Sequence, residues 1–184
     1  LVTDFRNVAA REPVLLLQDE SVMEVVVDVP ERDLARGARD GIDLGNNSTT
    51  VGDNFDYLEG VLIEDSYINH FLYSVDGVRK DAHGIVAGGV RSFTIRDTEV
   101  SYVSGDALQL QVGGWDDVLV DSVLFWNGPL PVATAGFDVG VNPGEDAIDT
   151  KQDIAISTRG KLTVRNSVFH GWMGDLIGNP SALN

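Results

Sequence analysis

A chain of 184 residues with 43% hydrophobic side chains is long enough to bury a sizeable core and has the length of one domain. The 13 Lys+Arg stand against 29 Asp+Glu, and the net charge of -16 excludes nucleic acid and anionic membrane surfaces as favoured partners while attracting divalent cations. No cysteine is present, which excludes disulfides and thiolate metal sites, and no apolar run reaches the length of a membrane helix.

Residues 1–39 read as an N-terminal cap. Two strand-sized apolar windows, residues 14–17 and 24–29, are separated by polar residues, and Pro30 ends the second because it offers no ladder donor. Residues 31–36 have room only for a short helix.

From Asp40 to the end, residues 40–184, a repeat takes over. Its first phrase is a polar opener, a small residue in most copies, then Ile or Leu and a period-2 alternation: Asp40-Gly41-Ile42-Asp43, His83-Gly84-Ile85-Val86, Asp106-Ala107-Leu108-Gln109, Asp146-Ala147-Ile148-Asp149 and Asp175-Leu176-Ile177-Gly178. Successive openers lie 43, 23, 40 and 29 residues apart. The second phrase places apolar residues four and two positions before a central polar residue, and another three positions after it. Its copies centre on Asp65, Asp97, Ser122 and Asn166. The alternation predicts a strand before each centre and a sharp bend at it, with the polar side chain bonding nearby backbone.

A unit of short strands joined by bends, with a shortest period of 23 residues, cannot bury its inward face alone and must stack on its neighbours. The long unequal inserts exclude an up-and-down barrel of equal hairpins, and the lack of amphipathic helices excludes a doubly wound fold. The expected fold class is therefore all-β, a parallel solenoid with long loops between rungs, forming a single domain over residues 1–184. The phrase at Asp175 opens a rung that does not close, so the chain is expected to continue into further rungs.

The paired phrases, [DH]-[GA]-[IL] and V-x-[IV]-x-[DNS], resemble those of the right-handed parallel β-helix proteins of the pectate-lyase-like superfamily over residues 40–184. Stacked rungs turn equivalent residues into columns about 4.8 Å apart. Ile42, Ile85, Leu108, Ile148 and Ile177 are expected inside, with Leu44, Ala87, Leu110 and Thr150 in a second inward column. Asp43, Val86, Gln109, Asp149 and Gly178 are expected outside, followed by Gly45, Gly88, Gln111, Lys151 and Pro180. The resemblance implies that this outward face holds a polysaccharide.

Several residues on or beside that face carry candidate chemistry. Asp106, Glu145, Asp146 and Asp149 fall on adjacent rungs, and oxygen ligands without cysteine suit a hard ion such as calcium. The competing reading is that the openers only cap bends through their carboxylates. Lys151 is the one lysine on the face, and beside bound calcium its pKa would fall far enough to remove a proton alpha to a uronate carboxyl group. The plainer reading is a solvated lysine paired with Asp149 or Asp153. Gln109, Gln111, His83 and Trp126 are the candidate substrate contacts. Against this, Trp115, Trp126 and Trp172 are more often packing residues, and His83 fits a bend-capping imidazole.

The phrases at Asp40 and His83 are also similar to those of polygalacturonases, but no Asp-Asp pair lies between them and no Arg-Ile-Lys follows. Calcium-dependent lyases with a lysine base match better through residues 145–151, with no role assigned to Arg159 or Arg165. The function expected from the sequence is binding and β-elimination of an acidic polysaccharide with calcium as cofactor, by a secreted or cell-surface protein. The alternatives are a non-catalytic carbohydrate-binding or adhesin-type solenoid and a uronan epimerase.

Overall fold

The computed structural model of the protein describes residues 24–25, 40–45, 57–111, 114–151, 160–174 and 176–178. Of the elements expected before Asp40, only the pair Glu24–Val25 falls in this set, as strand β1; residues 14–17 and 31–36 lie outside it. In chain order the other strands are β2 (Ile42–Gly45), β3 (Leu58–Glu59), β4 (Leu62–Glu64), β5 (Tyr67–Asn69), β6 (Tyr73–Val75), β7 (Val78–Lys80), β8 (Ile85–Gly88) and β9 (Val90–Arg96). They continue as β10 (Glu99–Ser101), β11 (Leu108–Leu110), β12 (Trp115–Asp121), β13 (Leu124–Trp126), β14 (Ile148–Thr150), β15 (Leu162–Arg165), β16 (Val168–His170) and β17 (Ile177–Gly178).

The described residues are all-β and contain no helix. Three parallel sheets are formed, with strand orders β17-β14-β11-β8-β2, β1-β4-β9-β12-β15 and β16-β13-β10-β5; β3 also pairs with β9. The chain visits the sheets in one fixed order, as in β8, β9, β10 and then β11, β12, β13. The exception is the antiparallel hairpin β6–β7, inserted between β5 and β8.

Register follows the sequence repeat residue for residue. Ile42, Ile85, Leu108, Ile148 and Ile177 are successive partners, and Leu44, Ala87, Leu110 and Thr150 form the parallel column. The second phrase supplies Ile63, Ile95, Val120 and Val164, then Ile68, Val100, Phe125 and Phe169. Most of these are fully buried, and the Phe125 and Phe169 rings stack with centroids 5.3 Å apart. Burial of these apolar columns is what drives the short strands together, because none is long enough to be stable alone.

The corners are made by stacked left-handed residues. Asp65, Asp97, Ser122 and Asn166, the centres of the second phrase, have φ of 48, 49, 57 and 54°. A corner before them stacks Gly60, Ser92 and Asp117, and one after them includes His70 and Tyr102, all at positive φ. The expected mechanism at the second-phrase bends differs in detail. None of the four central side chains bonds to backbone among the described residues; at three of the bends the following hydroxyl does, with Ser66 donating to the Glu64 carbonyl (2.8 Å), Thr98 to Arg96 (2.8 Å) and Ser167 to Arg165 (2.7 Å). The central Asp, Ser and Asn are suited because they are short and tolerate left-handed backbone better than branched residues do.

Outside the second sheet, Glu64, Arg96, Asp121 and Arg165 form a column of alternating charge. Arg165 donates twice to Asp121 (2.9 and 2.7 Å), and Arg96 pairs with Glu64. Such exposed pairs add little stability singly, but a slip of one rung would bring like charges together. Two outcomes are expected in urea denaturation. Phe125→Ala should cost about 3–5 kcal/mol through its cavity, and Ser122→Val should cost about 1–2 kcal/mol while Ser122→Gly is tolerated to within about 1 kcal/mol.

Candidate metal and polysaccharide site

The openers do more than begin strands. Asp40 Oδ1 accepts from the His83 amide at 2.9 Å, His83 Nδ1 from the Asp106 amide at 2.9 Å, and Asp106 Oδ1 from the Asp146 amide at 3.0 Å. Each of these three side chains thus takes the backbone N–H of the opener before the neighbouring strand. Histidine can occupy this ladder because Nδ1 and the aspartate Oδ1 are both acceptors one bond beyond Cγ. The bend-capping reading of these residues, His83 included, therefore describes their hydrogen bonds.

The His83 ring also lies 3.2 Å from Asp106 Oδ2 through the same Nδ1. Burial lowers its pKa, but Asp106, with Asp40 and Asp81 behind it, outweighs burial and raises it. One nitrogen cannot serve both contacts at once. Nδ1 accepts the Asp106 amide N–H only when the ring is neutral at that nitrogen, and donates to the carboxylate only when it carries a proton.

At Gly41 and Gly84 the small residue after the opener is required by what packs against it. A Cβ on Gly84 would lie 2.3 Å from Val100 Cγ1 and 2.8 Å from the Ala107 carbonyl oxygen. Strand pairing extends across these positions, with Gly84 N–H bonded to the Asp106 carbonyl at 2.9 Å and Ala107 N–H to Asp146 at 3.2 Å.

Three of the four candidate metal ligands come together. Asp106, Asp146 and Asp149 each direct a carboxylate oxygen to within 4.8 Å of the others. Asp106 is 1% exposed and Asp149 5%. Space beside them is kept by Gly178, where a Cβ would meet Asp146 Oδ2 at 2.3 Å and Asp149 Oδ1 at 3.1 Å. Calcium–oxygen distances of about 2.3–2.6 Å place opposed ligands roughly 5 Å apart, so the oxygen set fits a calcium ion in size and hardness.

Glu145, the fourth candidate, is held elsewhere: its Oε2 accepts from Arg79 Nη1 at 3.3 Å. Sequence reasoning gave Arg79 no role, because it lies on the inserted hairpin outside the repeat.

Lys151 follows β14, its N–H bonded to the Leu110 carbonyl at 2.8 Å and its Nζ paired with Asp149. Burial lowers its pKa, but the bond to Asp149 and the charges of Asp149, Asp106 and Glu145 more than offset this and raise it. With the carboxylates facing it directly, the ammonium is held protonated. That is opposite to the direction a base at neutral pH requires. The pairing expected with Asp149 is present; Asp153 lies outside the described residues.

The remaining candidates separate. Gln109 is the β11 neighbour of Asp149, in the column Asp43, Val86, Gln109, Asp149 and Gly178, with the expected register. That column is not an open floor: Val86 is 5% and Gln109 8% exposed. Burial also raises the pKa of Asp43, with Asp40 adding to it. Gln111 is half-buried at the end of β11, and its N–H bonds to the Ala87 carbonyl at 2.8 Å. Pro180 lies outside the described residues.

Trp126 belongs to a different sheet. Its Nε1 donates to Glu99 at 2.7 Å and its ring sits between Tyr102 and His170, at centroid distances of 4.8 and 5.9 Å. Neighbouring rings occupy it, so it is not gathered with the aspartates as a sugar contact. Trp115 is buried and Trp172 half-buried, donating to the carbonyls of Lys151 (3.2 Å) and Phe125 (3.1 Å), which fits packing roles.

Compared with known proteins, the chain matches no family model, no curated protein and no solved structure. Its functional reading therefore rests on the residues themselves.

The ladder and the ion pair lead to two measurements. His83→Asn, which keeps a δ acceptor, should hold thermal stability near wild type, while His83→Ala strands the buried Asp106 amide and should cost about 1–3 kcal/mol. The raised pKa of Lys151 means its pairing stabilises the fold fully below the ordinary lysine value of 10.5 and is lost as pH rises through the higher folded value. The alkaline fall in melting temperature should therefore be shallower in Lys151→Met than in wild type; identical slopes would remove the ion pair from the stability account.

Proposed function

We propose that the protein is a right-handed parallel β-helix of the pectate-lyase-like kind that binds an acidic polysaccharide through calcium held by Asp106, Asp146 and Asp149. The observation that carries this reading is the meeting of three carboxylates from two rungs at one point, beside the only lysine of the β14 face. In-register columns and the fixed order of sheet visits support the helical coil. Such polymers occur outside cells, so the reading makes the protein secreted or surface-bound.

Calcium would supply positive charge that neutralises a uronate carboxylate and stabilises negative charge developing next to it. The chain's own part is to hold three oxygens together and to offer Lys151. With Asp149 holding calcium, Lys151 would lose the hydrogen bond that most raises its pKa. Nζ would then accept the proton alpha to the uronate carboxyl group, the carbon–hydrogen pair would become the new carbon–carbon double bond, and the leaving sugar oxygen would depart with the pair of the broken bond and take a proton from water. An epimerase would share the proton removal and return the proton to the opposite face.

A second reading, a non-catalytic binding or adhesin-type solenoid, is favoured by the raised pKa of Lys151. Under it the lysine only balances the carboxylates.

Calorimetric titration with calcium, followed by incubation with pectate and alginate with calcium or chelator, separates these readings. Asp149→Asn and Gly178→Ala should weaken calcium binding by roughly tenfold or more, since affinity follows ligand charge and cavity fit. Unsaturated product absorbing in the ultraviolet, lost in Lys151→Ala, would establish the lyase. Calcium-dependent retention of the polymers without new absorbance or change of stereochemistry would leave the binding solenoid. No calcium binding at millimolar concentration would sink the metal site.

A further inference from the structure

Arg79, on β7, is linked to the aspartate site through Glu145, the residue before Asp146 and one of the charges that act on Lys151, and it is bound in an asymmetric way. Its Nη1 donates to the Ser104 carbonyl at 2.7 Å and to Glu145 Oε2 at 3.3 Å, and lies 3.5 Å from Asp81 Oδ1. Every described contact of the guanidinium goes through that one nitrogen. Nε and Nη2 make no hydrogen bond to a described residue, and the side chain is 32% exposed.

A guanidinium binds carboxylates best along a two-nitrogen edge, and the Nε–Nη2 edge is the one left open here. We propose that Arg79 is a specificity-determining residue that receives a sugar carboxylate on its Nε–Nη2 edge, beside the uronate engaged at the calcium site; this rests on the polysaccharide reading above. The Ser104 carbonyl and Glu145 hold Nη1, so the side chain is already oriented and loses little freedom when the ligand arrives.

The surrounding charge explains why this contact depends on the ion. Asp81 and Glu145 lie against Arg79, Asp149, Asp106 and Glu145 act on Lys151, and Asp146 joins the aspartate cluster, so an anionic chain meets a negative field unless a divalent cation is bound first. Arg79 then discriminates among anionic polymers, because a planar carboxylate matches the fork and a neutral or methyl-esterified sugar leaves it unpaired. The same nitrogen that anchors the side chain ties hairpin β6–β7 to residue 145, so the ligand contact and the wall of the site share one residue.

The test uses the whole chain at saturating calcium. Binding of polygalacturonate and of alginate is measured for wild type, Arg79→Lys and Arg79→Gln, with the calcium affinity of each variant measured separately. Arg79→Lys keeps the charge but loses the fork, and is expected to weaken binding of at least one polyuronate about tenfold while calcium affinity and melting temperature stay near wild type. Unchanged polyuronate binding in Arg79→Lys and Arg79→Gln would overturn the assignment while leaving the polysaccharide reading intact. If wild type binds calcium but neither polymer, the polysaccharide reading fails and the role of Arg79 falls with it. Loss of calcium binding in Arg79→Lys would overturn the assignment in favour of a purely architectural arginine.

Discussion

Parallel pairing without slip sets Leu108 against Ile85 on one side and Ile148 on the other, and every other column inherits that register. Buried Ile and Leu fix it from inside, because a shift of one residue would turn the whole apolar set to the opposite face. The exposed column Glu64, Arg96, Asp121 and Arg165 fixes it from outside. Between them runs the chain of side-chain acceptors at Asp40, His83 and Asp106, which binds each rung to the next through an amide. The aspartate cluster is a product of this register: Asp106 and Asp146 meet because they are equivalent residues of neighbouring rungs, and Asp149 follows on the same strand.

The proposed chemistry is constrained by the same arrangement. Two of the three carboxylates are deeply buried, and such groups are costly to leave without compensating charge. Lys151 supplies some of that charge, and calcium would supply more. Under the proposed reading a bound cation would compete with Lys151 for Asp149, so the protonation of the lysine and the binding of the ion would be linked without any movement of the backbone.

The repeat made much of the fold legible before any coordinates. The partners of Ile42, Ile63 and Ile68 on each later rung were readable because period-2 alternation and a recurring phrase define columns independently of insert length. The positions of Asp106, Asp146 and Asp149 followed from the same alignment. Features that depend on the inserts were not readable. Arg79 lies on a hairpin with no counterpart in other rungs, and its capture of Glu145 could not be inferred from periodicity. Burial of Gln109 and Val86 was missed because alternation gives the direction of a side chain, not what covers it. The bends are legible at Asp65, Asp97, Ser122 and Asn166, but at three of them the hydrogen bond to backbone belongs to the hydroxyl one place further on, at Ser66, Thr98 and Ser167.

The hairpin β6–β7 and the segment between β13 and β14 leave the third sheet and lead to the next strand of the first without disturbing the described columns. The architecture therefore separates what is editable from what is not. Residues can be added or removed where the chain leaves β5 or β13, and the rungs above and below will close on each other unchanged. A deletion of one residue between Asp106 and Leu110 would throw an aspartate out of line with its neighbours and an apolar side chain into water. New binding walls can thus be tried on this scaffold one excursion at a time, while the stacked frame carries each trial at the same height beside the aspartates.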